Sequence, residues 1–362
     1  MNGIVSRFFS PGALVAAASA IVIQPAWAQQ SEQHSLSGRQ VAIFNLAGRL
    51  TVEGGSGSAV EVELTRGGAD GGQLDIATGS LDLGRNIGDV ESLRVLYPAD
   101  DIVYSGGGRH FKTQLRVRDD GSFYHGSGRR RGRRVEIRGS GSGLDAHADL
   151  RVRVPSGQRI WLFLGAGEVS VSNVDGRLYV DVGSANVTSR DTQGYLNIDT
   201  GSGTVDVSGA RGDVFVDTGS GRVRVSDTQG DELNIDTGSG GVIGSDLSVR
   251  ELVVDTGSGS VELSSLTASE ISVDTGSGSV DLNLESSPRS VLVDTGSGSV
   301  TLSLPSDFGA RVEIETGSGG IRTEFPIQLR RAERDHIIGT IGDGSGRVEI
   351  DTGSGSVTIR QS

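Results

Sequence analysis

The chain is predicted to be all-β, a single-stranded β-solenoid (β-helix) with stacked rungs of about 18–21 residues. Three observations predict this class. The phrase Asp-Thr-Gly-Ser-Gly starts at Asp199, Asp217, Asp236, Asp255, Asp274, Asp294 and Asp351, with a Glu315 version between the last two. The first six copies are separated by 18, 19, 19, 19 and 20 residues, a period at which each repeat buries its apolar face against its neighbours. Between the phrases, apolar and polar residues alternate with period two, the mark of strands with one buried face. Glycine contributes 57 of 362 residues, and it recurs at turn positions rather than in a Gly/Ser linker.

Residues 1–28 read as a secretory signal peptide. Arg7 is the positive flank, Ala13 to Ile23 is a short apolar run, and Ala26-Trp27-Ala28 fits small-x-small cleavage before Gln29. The run is too short, and too interrupted by Pro11 and Pro25, for a membrane span, and no later stretch is long enough to cross a bilayer. The expected location is therefore exported: periplasm, outer-membrane surface or extracellular space. There is no cysteine, so stability must come from the core, and about 330 residues are ample for one. Residues 29–143 are expected to form N-terminal strands and an irregular cap. Val41 to Leu64 supplies an opening pair of strands around Gly48 and Gly54-Gly55, whereas 66–143 is less regular. Residues 144–362 are expected to form the repeat domain.

One repeat illustrates the pattern. Val214, Val216 and Thr218 share the inward face, and Phe215 and Asp217 the outward one. Gly219-Ser220-Gly221 makes a bend, Val223 and Val225 point inward again, and Asp227 to Gly230 makes a second corner. The 36 residues between Glu315 and Asp351 read as two rungs. Gln328 to Arg334 reads as a charged insertion, and the short Arg360-Gln361-Ser362 tail suggests a C-terminal edge that is bare or joined to a partner.

The repeated aspartates are the first candidate chemistry. Asp-Thr-Gly opens aspartic-protease loops, but a protease needs two such loops facing each other, not a regular series side by side. Asp199, Asp217, Asp236, Asp255, Asp274 and Asp294 form instead an outward column of like charges, which a hard cation such as calcium would relieve. The Gly-Gly-x-Gly-x-Asp nonapeptide of calcium-loaded β-rolls is absent. The plainer expectation is that each Asp accepts hydrogen bonds from turn amides or Ser hydroxyls. The five histidines are scattered without metal-ligand spacing, and no serine stands in a nucleophile elbow. No other cofactor is expected. Gly139-Ser140-Gly141-Ser142-Gly143 lacks the lysine and helix of a phosphate loop.

A formal charge of −13 argues against nucleic acid as the partner. The basic cluster Arg129, Arg130, Arg131, Arg133 and Arg134 is a candidate contact for an acidic envelope polysaccharide or lipid headgroups, against the plain reading of a solvated loop.

Three segments carry a family likeness: Phe44 to Leu64, Leu150 to Val187 with its Pro155-Ser156-Gly157 turn, and the Thr-Gly-Ser-Gly-x-Val phrases out to Val357. On these the chain resembles the bacterial DUF4097 family, often labelled adhesin. The resemblance implies a β-solenoid in the cell envelope and supplies no catalytic residues. The expected function is a non-enzymatic exported scaffold or adhesin-like protein meeting an envelope polysaccharide, lipid headgroups or a surface protein. One alternative is a carbohydrate-active β-helix enzyme such as a polysaccharide lyase, which a groove lined by Asp, Arg and Tyr from adjacent rungs would favour. The other is a calcium-dependent surface protein that self-associates end to end through strand edges.

Overall fold

Residues 31–84, 87–108, 111–123 and 132–362 are described by the structure, a computed structural model. The expected signal segment lies outside the described residues. The all-β expectation holds, and one 23-stranded sheet carries most of the chain.

The repeats pair in parallel, as their sequence period requires. Asp217 stands opposite Asp236, Asp236 opposite Asp255, and Asp255 opposite Asp274. Val216, Ile235, Val254 and Val273 form the matching inward column and are all buried. Small β-branched side chains suit this site because each packs on its copy about 4.8 Å away. Thr218, Thr237, Thr256 and Thr275 form a second inward column, fully buried despite their hydroxyls.

The glycines of the phrase are required by close approach between neighbouring strands. A Cβ at Gly259 would lie 1.8 Å from the Gly240 carbonyl oxygen, and one at Gly278 equally close to that of Gly259. The second corner is made differently. Asp227 (φ 46°), Asp246 (φ 57°) and Ser265 (φ 50°) each adopt left-handed backbone inside a long strand, and short polar side chains tolerate that region best.

The single-stranded β-solenoid expectation is corrected. Asp175–Arg190 pairs with both Gln193–Ser202 and Val205–Ser208. Gln193–Ser202 pairs onward with Arg211–Ser220, and Val205–Ser208 with Val223–Thr237. Arg211–Ser220 and Val223–Thr237 then pair with each other, so these five parallel strands close into a barrel from which the further sheet strands extend. The physical reason is strand length. The 16-residue strand Asp175–Arg190 and the 15-residue strand Val223–Thr237 run unbroken through the expected corner. Each can therefore bond to two shorter strands, and the ring closes.

The C-terminal end also departs from expectation. Gly346–Thr352 lies between Ser290–Thr295 and Ala310–Thr316. Val357–Gln361 lies between Val300–Leu304 and Ile321–Thr323. The final strands are thus internal, and Asp351 faces Asp294 on one side and Glu315 on the other. The expected charged insertion is a hairpin, Ile327–Ala332 with His336–Ile341, whose second strand pairs antiparallel with Ala310–Thr316. It covers half of the end that the tail was expected to leave bare.

At the N-terminal end, Gln40–Gly55 pairs in parallel with Gln158–Ser172, while Ser31–Leu36, Val60–Gly67 and His147–Pro155 form antiparallel neighbours. Tyr97 anchors this region. Its hydroxyl donates to Asn45 Oδ1 (2.8 Å), the Asn45 amide donates to Ala148 O (2.7 Å), and burial pushes the phenol's pKa up strongly. A smaller four-stranded sheet, Lys112–Val117, Arg133–Arg138, Asp101–Val103 and Leu144–Asp145, packs over Gln158–Ser172. Phe44 stacks on Phe163 (4.4 Å), and Phe123 covers both edge-on.

Candidate binding surface

Alternation of side chains along the parallel strands places three columns on one outward face. The first is acidic. Asp181, Asp199, Asp217, Asp236, Asp255, Asp274, Asp294, Asp351 and Glu315 follow one another in register. All six predicted aspartates therefore share one line. The same line begins as Phe44 and Phe163. It is phenylalanine where the insertion covers the face and carboxylate where the face is open, because a buried unpaired charge is costly.

Like charges at strand spacing perturb one another. The Asp236 carboxyl is held above its ordinary range by partial desolvation, then by Asp217 and Asp255. Asp274 is raised the same way, with Asp255 and Asp294 as its neighbours. Among the described residues, no group of three or more Asp, Glu or His is arranged to hold a metal ion.

In the later copies the amide of the phrase's second glycine donates to the threonine that follows the aspartate. Gly240 N donates to Thr237 Oγ1 at 3.0 Å, Gly278 N to Thr275 Oγ1 at 3.0 Å, and Gly298 N to Thr295 Oγ1 at 2.9 Å. The hydroxyls donate in turn to the preceding strand, as Thr275 does to Gly259 O at 3.1 Å. Thr is suited to this because it points inward, where its methyl packs and its hydroxyl replaces water for two buried backbone groups. The aspartate is left outward.

The second column is aromatic at its start. It runs Trp161, Tyr179, Asn197 and Phe215; Trp161 stacks on Tyr179 (5.1 Å, 10°), and Tyr195 of the neighbouring column lies against Tyr179 (5.3 Å) and Phe215 (5.2 Å). Of these rings, Trp161 and Tyr179 lie face to face, and the other pairs are tilted by 41° and 31°.

The third column alternates in charge by blocks. It runs Arg159, Arg177, Tyr195 and Asp213, continues through Glu232, Glu251 and Glu270, and ends at Arg347 and Arg311 beyond Ser290. Where it starts, a groove of about 1030 Å³ is lined by Arg39, Arg159, Arg177, Tyr195, Asp175 and Asp213 among others. No periodic phrase marks this groove in the sequence. The pairing of Arg159 with Arg177 was legible only from the 18-residue offset between them, 177 − 159.

Of the predicted basic cluster, Arg129, Arg130 and Arg131 lie outside the described residues. Arg133 is bonded to Asp100 and to the Tyr97 carbonyl, and Arg134 to Gln114. Arg134 thus joins two strands of the small sheet, and Arg133 ties it to the segment that leads into Asp101–Val103.

The Toastrack DUF4097 family model matches residues 133–360. No curated protein matches the chain. A crystal structure of a cell-adhesion candidate from Clostridium sporogenes aligns over 92% of this chain and 99% of its own, with 10% identity and a TM-score of 0.21. That similarity is too low to bear on fold or function. No helix among the described residues is long and apolar enough to cross a membrane.

Proposed function

Because the chain belongs to the Toastrack DUF4097 family, we propose that it is an exported, adhesin-like envelope scaffold that presents one repetitive sheet face to a partner. Domains of this family are non-catalytic structural and adhesin modules, so the groove of Arg, Asp and Tyr expected of a lyase is read here as a binding groove. The observation that carries the proposal is the outward face itself. Its columns are built on glycines that admit no side chain and on buried threonines bonded between strands. Such a surface is preorganised, and a partner that spans several strands orders little on binding it.

The test is binding of the full-length protein to isolated cell envelopes. Saturable binding with no release of reducing sugar ends is the expected result. Absence of binding together with release of sugar ends would overturn the proposal in favour of an enzyme.

A further inference from the structure

The groove at the start of the charged column holds arginines that the protein itself leaves unpaired. Arg159 stands directly opposite Arg177, and Arg39 precedes Gln40, the residue opposite Arg159 on its other side. Like charges opposite each other on neighbouring strands are unfavourable. Among the described residues, none of the three forms an ion pair, whereas Arg49, Arg151, Arg211 and Arg224 all do. Among the described residues, the one charge-related contact of the group is Arg177 over the Tyr195 ring, 5.9 Å from its centroid. Three aspartates, Asp175, Asp213 and Asp231, line the same groove without pairing to these arginines. Asp175 accepts the Ser156 hydroxyl, and Asp213 accepts the Glu232 amide at 3.3 Å. A chain of net charge −13 thus sets guanidinium groups side by side along an open groove without a direct ion pair to any of them.

Resting on the adhesin-like reading above, we infer that this groove binds a linear acidic polysaccharide whose sugars carry carboxylates. The guanidinium forks match carboxylates in geometry and charge. Arg159 and Arg177 stand in register about one strand spacing, 4.8 Å, apart, with Arg39 beside them next to Gln40, so successive acid groups of an extended polymer can meet them together. Asp175 and Asp213 line the same groove. They accept hydrogen bonds from sugar hydroxyls, which a phospholipid phosphate surface does not supply in series. Trp161 and Tyr179 are stacked face to face and Arg177 lies over the Tyr195 ring, so recognition falls to charge and hydroxyl contacts rather than to sugars stacked on an aromatic platform.

The full-length protein is titrated with size-defined oligogalacturonates by calorimetry, with methyl-esterified oligomers and anionic phosphatidylglycerol vesicles as comparisons. Binding to the acid oligomer should weaken as salt rises. In the Arg159→Gln/Arg177→Gln variant it should weaken by about ten-fold or more. The Arg311→Gln/Arg347→Gln variant removes the same charge from the far end of the column and should retain binding. Far-UV circular dichroism and thermal unfolding establish that both variants are folded. No binding of the acid oligomer, equal binding by the first variant, equal binding of the esterified oligomer, or vesicle binding that is lost instead would each overturn the inference. Envelope binding that persists without oligogalacturonate binding would overturn this inference alone and leave the adhesin-like reading standing.

Discussion

Thr256 Oγ1 accepts the Gly259 amide at 3.0 Å and donates its own proton to the Gly240 carbonyl at 3.1 Å. One hydroxyl therefore closes a turn and joins that turn to the neighbouring strand. Thr218 occupies the same column, yet its buried hydroxyl oxygen has no partner among the described residues. Two substitutions of the same kind should then behave differently. Thr256→Val strands two buried backbone groups and should cost about 1–3 kcal/mol. Thr218→Val removes an unsatisfied polar atom and should be neutral or slightly stabilising. Urea unfolding of the two variants compares them, and equal losses would show that the hydroxyl bonds do not carry the column.

The second glycine of the phrase is fixed by space rather than by turn type. Gly259→Ala would drive a Cβ to 1.8 Å from the Gly240 carbonyl oxygen, a backbone atom that cannot swing aside. The neighbouring strands would have to separate, and the variant should be recovered unfolded or with a melting temperature lowered by many degrees. At Gly320 nothing lies within 4 Å of an added Cβ, so Gly320→Ala should melt like the parent. A tolerated Gly259→Ala would mean that the strands are not as close as described.

Asp255 stands between Asp236 and Asp274 and raises the pKa of both: at Asp274 it follows only desolvation, and at Asp236 it follows desolvation and Asp217. A raised folded-state value means that folding favours the protonated form. The stabilisation linked to these two groups is therefore greatest below the ordinary aspartate value of 3.8 and is lost as pH rises through their raised folded values. At neutral pH the column repels itself. Asp255→Asn should add about 0.2–0.5 kcal/mol at low salt, a modest gain because these groups are solvent-screened. Titration followed by carboxyl NMR should show Asp236 and Asp274 both moving down. A variant that is no more stable at low salt than at high salt would contradict a repulsive column.

Much of this surface is legible in the sequence, and the limit of that legibility has a physical cause. Alternation places Val216 and Thr218 inward and Asp217 outward, and the period places Asp217 beside Asp236. Both follow from strand geometry acting on local residues. Neighbour order does not. Residues 294–300 and 351–357 are the same seven letters, Asp-Thr-Gly-Ser-Gly-Ser-Val, so each could pair with any other copy at equal cost. The order is decided by the length and pairing of the chain between them, where the His336–Ile341 strand takes the open side of Ala310–Thr316 and leaves its other side for Gly346–Thr352. Closure of the five-stranded ring is hidden for a similar reason, since a corner signal at Asp227 bends the strand without ending it. The division of labour between Asp217 and Thr218 depends on which face is buried. The Arg159–Arg177 groove has no repeated phrase to announce it.

The internal position of the last strands makes a final prediction. A chain ending at Gly344 would lose Gly346–Thr352 and Val357–Gln361, and with them the partners of four strands. The inward residues Val348, Ile350, Val357 and Ile359 are almost fully buried, so their loss removes core as well as hydrogen bonds. Ala310–Thr316 and its hairpin could re-dock on Ser290–Thr295 only by closing a gap the width of one strand, about 4.8 Å, across both halves of the sheet. The edge of Val300–Leu304 would otherwise stand open, and unpaired edges recruit other chains. The truncated protein should therefore run as aggregates or oligomers in size-exclusion chromatography with light scattering, and amides of Ser290–Thr295 should lose exchange protection. A monomer with parental melting and protection would show instead that the last strands are dispensable, as a terminal edge would be, and that the insertion between Asp294 and Glu315 is wrong.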